Sequence, residues 1–82
     1  MTTQTLAGPA PRLAAGYARM GMALLDCAPL GDVAGMVAEQ YAAAAAHDAA
    51  SQDAARAECA RRLAAGDVAA IRQRFAALLG GC

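Results

Sequence analysis

Cys27, His47, Cys59 and Cys82 match the ligand count of a Cys3His zinc site. Their spacing does not, because structural zinc takes ligands in close pairs such as C-x2-4-C and the chain has none. Cys27 and Cys59 read instead as small buried hydrophobes. Cys82 follows Gly80–Gly81 at the end of the chain. It could present a thiol for modification, an intermolecular bridge or the end of a processed precursor, but chance placement is the leading explanation. His47 and Asp48 suggest an acid–base pair, but consecutive helical residues point about 100° apart. No recognisable motif puts a nucleophile beside them, so His47 reads as a surface histidine. Met20 and Met22 fall on opposite sides of one helix, as core filler plus an exposed residue rather than a copper ligand set. There is no glycine-rich phosphate loop, nucleophile elbow or carboxylate pair. No catalytic, cofactor-binding or metal-ligating residue is expected, and the chain does not read as an enzyme.

The elements that carry these residues are helices. Pro11 suits a first helical turn, where its missing N–H is no loss. From there to about Ala28, Leu13, Tyr17, Met20 and Leu24 recur at i, i+4, i+7 and i+11 as one apolar stripe, continued by Cys27. Arg12, Arg19 and Asp26 repeat every seven residues on another side. Pro29 and Gly31 end this helix. Asp32 then reads as the N-cap of a second helix, with Leu30 as a hydrophobic staple and Val33, Met36, Val37 and Tyr41 as its buried face. The run QYAAAAAHDAASQDAARAECA, residues 40–60, has high helix propensity and almost nothing large to bury. Its stripe passes through Ala44, Asp48, Ser51 and Ala55 before Cys59 and Leu63 restore an apolar edge. The preferred reading is one helix of about 33 residues, ~50 Å long, ended by Gly66. The alternative is a break near His47–Gln52, where Asp48 or Ser51 would cap a new helix. A third helix follows Asp67, with Val68, Ile71, Phe75, Leu78 and Leu79 as its stripe and Gly80–Gly81 as its stop. The starts GDVAGMVAEQY and GDVAAIRQRF look alike, which a decayed repeat or common helix-start chemistry would equally produce.

The expectation is therefore an all-α chain of three helices, short, long and short. A disordered arm occupies residues 1–11, a single helical domain residues 12–79, and a flexible Gly-Gly-Cys tail residues 80–82. The 82 residues make one domain at most. Hydrophobic types reach 59 %, but alanine supplies most of them, with one Phe and no Trp. So few bulky apolar groups point to a core completed by a partner chain.

Charge is balanced, with seven basic residues, all Arg, and seven acids. No clustered basic face is present to meet nucleic acid. Met20 to Ala55 carries only acids, and Arg56 to Cys82 is mainly basic. That split favours antiparallel pairing of two chains, and an ordinary solvated surface would display it as well. There is no secretory signal pattern and no apolar run near the ~20 residues of a membrane span. Three cysteines without CxxC indicate a reducing compartment, so a cytoplasmic location is expected.

The stretch MALLDCAPLGDVAGMVAEQYAAAAAHDAASQDAARAECA, Met22 to Ala60, resembles the helical core of phasins, the polyhydroxyalkanoate granule-associated proteins. The likeness rests on a short helix ending in Leu24–Leu25 and a joint. After it come an Asp-capped helix with a small apolar face, Glu39–Gln40, an aromatic at Tyr41 and a long alanine-rich run. The chain differs in lacking lysine and in the polar Asp48 and Ser51 on its stripe. The resemblance implies a non-enzymatic, helical, self-associating protein that coats a hydrophobic granule. Read from the residues alone, the chain is a homo-oligomeric association protein. The alternative is a small adapter or regulatory subunit that folds against a different protein.

Overall fold

The computed structural model describes residues 11–46 and 48–80. Residues 1–10 of the expected N-terminal arm, His47 and Gly81–Cys82 lie outside them, while Pro11 and Gly80, placed at the edges of the expected arm and tail, are helical. The described residues form four helices and no strand: α1 (Pro11–Cys27), α2 (Leu30–Ala45), α3 (Ala49–Ala64) and α4 (Val68–Gly80). The fold is all-α, as the sequence indicates. The single long helix is not formed, because α2 ends at Ala45 and α3 begins at Ala49. Ala46 takes an extended conformation (φ −154°, ψ 158°) and still donates its N–H to Ala42 O at 3.1 Å. Asp48 caps α3: its carboxylate accepts the Ser51 N–H at 2.8 Å. Gln52 Nε2 donates to Ala46 O at 3.0 Å, so both sides of the joint are tied down. Alanine propensity favours a straight helix only weakly. Folding α3 back along α2 buries Ala42, Ala55 and Cys59, which a straight rod would leave in water. Asp48→Ala should therefore cost about 1 kcal/mol, read as a lowered urea midpoint at unchanged m.

Pro29, at φ −55° and ψ 139°, separates α1 from α2. Asp32 is not the N-cap of α2. Leu30 is a good helix former and Gly31 falls in the first turn, so the helix opens at Leu30 and Asp32 donates its N–H to Pro29 O at 3.0 Å. Its carboxylate remains in the first turn, where the helix dipole favours it. Leu30 is itself helical and packs against the core. The α3 terminus is a Schellman motif: Asp67 N–H reaches Arg62 O at 2.8 Å and Gly66 N–H reaches Leu63 O at 3.1 Å. Gly66 takes φ +79°, which glycine adopts without strain.

α1 packs on α2 and α4, and α2 packs on α3, with lesser contacts of α4 to α2 and α3. The smallest extent of the molecule is 17 Å, two helix layers at 8–10 Å spacing, so every helix keeps an outward side. The core is correspondingly thin: its largest fully buried side chains are Phe75, Ile71, Val37 and Cys59. Tyr41 meets Phe75 edge-to-face at 5.9 Å, and Arg74 stands 6.0 Å over the Tyr41 ring.

α1 buries a different face from the one its bulky residues mark. Ala14, Ala15, Ala18 and Gly21 turn inward, while Leu13 and Met20 are 57 % and 53 % exposed. Tyr17 and Leu24 are half-buried, and Cys27 is exposed. The two methionines also exchange roles, since Met22 packs against the core and Met20 faces water. The reason lies in α4. A Cβ on Gly21 would fall 2.6 and 2.8 Å from Cε2 and Cε1 of Phe75, so the ring lies directly on the α1 backbone. Only the small-residue face of α1 admits it.

The separation of acids and arginines along the chain is largely closed within it. Asp26 binds Arg72 at 2.5 Å, joining α1 to α4, and Glu39 lies 3.3 Å from Arg56, joining α2 to α3. Arg56 also holds Asp53, and Arg62 holds Glu58 and Asp67. These pairs are solvent-exposed and contribute little each.

Candidate association surface

With α1 turned Ala-side in, Leu13 and Met20 lie on its outer surface, and Gly16 falls three residues after one and four before the other. On α2, Val33, Val37 and Tyr41 are buried, whereas Met36 is 56 % exposed rather than buried as its spacing suggested. Met36 shares the outer arc of α2 with Gly31, Asp32, Gly35 and Glu39, all exposed. A Cβ on Gly16, Gly31 or Gly35 would meet nothing within 4 Å. A glycine inside a helix costs roughly 0.5–1 kcal/mol against alanine. Nothing in the chain's own packing requires these three.

Beside this arc, α2 and α3 leave an open apolar groove of about 460 Å³. Gly31, Ala34, Gly35 and Ala38 form its α2 side, Ala60 and Ala64 its α3 side, and Leu30 and Leu63 stand as bulkier walls. Its size is that of a pocket for a small ligand, but polar groups that would fix and orient one do not converge on it. It suits side chains delivered by another helix.

The sequence-derived residues thus divide. Val33, Val37, Tyr41, Ile71 and Phe75 form the interior. Tyr17, Leu24, Leu63, Val68, Leu78 and Leu79 are half-buried at its edge. Leu13, Met20 and Met36 stand outside. The periodicity missed the open glycines and the groove, whose only signal is the i, i+4 spacing of Gly31 and Gly35 beside an alanine-rich run.

Chemically active groups are not gathered on this surface. Cys59 is fully buried, and burial, reinforced by Glu58, pushes its thiol up to about 11. Cys27 is exposed at the end of α1, its Sγ 3.8 Å from Leu24 O. Burial and the neighbouring Glu58 carboxylate also raise the Tyr41 hydroxyl. Among the described residues, no three of His, Cys, Asp and Glu come together as a metal site. None of the described helices is long and apolar enough to cross a membrane. In the folded chain at neutral pH, a thiol reagent should label Cys27 at once and Cys59 only after unfolding. Because the Cys59 pKa is higher folded than unfolded, its linkage leaves stability intact below ~9 and lowers it as pH rises toward about 11.

No family model, curated protein or solved structure matches this chain.

Proposed function

We propose that this protein is a non-catalytic helical association module that works in the cytoplasm by binding copies of itself. The observation that carries this reading is the outward placement of Leu13, Met20 and Met36 beside three glycines of α1 and α2 with empty space over them. Bulky apolar residues left in water and small residues left uncovered are complementary halves of a helix–helix contact. A thin, alanine-dominated core gives the chain a further reason to bury surface on association.

Coating of a hydrophobic polyester granule, in the manner of phasins, is a second reading that the same exposed residues support. Co-sedimentation with polymer granules above that of an unrelated helical protein would favour it. A different protein as partner is the third. Self-association is tested by thermal melting followed by circular dichroism across a hundredfold range of concentration. The midpoint should rise with concentration. A midpoint that stays constant would reject self-association and leave the other two.

A further inference from the structure

We infer that the self-association proposed above is a two-fold exchange in which α1 of one copy lies against α2 of the other, over the Gly31–Gly35 edge of the groove. Three observations specify the second copy as the occupant. The first is length. Leu13 to Met20 spans seven residues of helix, about 10.5 Å, and so does Gly31 to Ala38 along the groove. The knobs of α1 therefore have the same reach as the floor that would take them.

The second is charge. Arg12 and Arg19 flank the α1 knobs, are exposed, and have no ion-pair partner among the described residues. Asp32, beside Gly31, is likewise exposed and without an ion pair there. Glu39 follows Asp32 by seven residues, with its side chain 62 % exposed despite its contact with Arg56. The two arginines and the two acids thus repeat at one interval on the two helices. They match when one copy's α1 meets the other's α2.

The third is symmetry. A two-fold operation presents α1 to α2′ and α1′ to α2 together, so each copy uses both halves of its surface and the assembly closes. It covers Gly16, Gly31 and Gly35 as well as Leu13, Met20 and Met36, which accounts for the three open glycines of α1 and α2.

The test is sedimentation velocity on the full-length chain. Arg12→Glu/Arg19→Glu alone sets acids against Asp32 and Glu39, and Asp32→Arg/Glu39→Arg alone sets arginines against Arg12 and Arg19. Each should weaken association by about tenfold or more. An equimolar mixture should recover the wild-type dimer, because both halves of the mixed interface are again complementary. A second variant, Gly35→Leu, places its side chain in space that is open in the single chain. It should keep its helicity and lose the dimer. A wild type that dimerises while the mixture stays monomeric, or a Gly35→Leu chain that dimerises like wild type, would overturn this interface and leave self-association standing. A wild type that is monomeric throughout would remove both.

Discussion

Phe75→Ala is expected to cost about 3–5 kcal/mol and to leave the chain largely unfolded at ambient temperature. Phe75 is the largest fully buried side chain. Its ring rests on the α1 backbone at Gly21 and receives Tyr41 edge-to-face at 5.9 Å. It is where α4, α1 and α2 meet, and no other aromatic can move into its place. Truncation opens a void that an interior made mainly of alanine has few flexible side chains to fill. In urea the midpoint should fall by roughly 2–4 M, given the small m expected of so short a chain. Phe75→Leu, which keeps most of the volume, should lose much less. A cost below about 1 kcal/mol for the alanine variant would mean that the ring is not the junction of the fold.

Gly21→Val should be the second severe change, destabilising by about 2–3 kcal/mol. Elsewhere in a helix, replacing glycine recovers up to about 1 kcal/mol of backbone entropy, and that gain is outweighed here. The added Cβ alone would lie 2.6 Å from Cε2 of Phe75, and the two methyl groups beyond it need space the ring occupies. The ring must turn or α4 must lift from α1. The diagnostic is coupling. Gly21→Ala and Phe75→Leu combined should cost at least about 1 kcal/mol less than the sum of the two, because removing the ring removes the clash. Additive costs would contradict the contact. Gly16→Ala, at a position open on the same helix, should leave the single chain unharmed.

Much of the architecture was readable from punctuation. Pro11 and Pro29 mark boundaries because proline lacks the N–H that a helix interior must donate, and Gly66 because it takes φ +79° without strain. The joint between α2 and α3 was harder to place because it holds neither glycine nor proline. Its signal is Asp48, which serves a capped break or, as a surface residue, a continuous helix. Burial along α3 decides between them, and that is a tertiary quantity. The face of α1 was misread for a different reason. Leu13, Tyr17, Met20 and Leu24 make the larger apolar stripe, yet Ala14, Ala18, Gly21 and Leu25 repeat at the same spacing one residue later. Hydrophobicity ranks the first set higher. Close approach of Phe75 selects the second, and that requirement sits some fifty residues away in sequence. The groove was unreadable for the same reason, since its two walls come from separate helices.

Self-association, as proposed, would let another copy of the chain cover the apolar surface left open around Leu13, Met20 and Met36. Sedimentation equilibrium between about 1 and 100 µM, with helicity recorded on the same samples, tests it most directly. A self-associating chain should give a helical species whose mass rises from the 8.2 kDa of one chain to at least twice that within this range. A fully helical particle holding at 8.2 kDa at every concentration would contradict it.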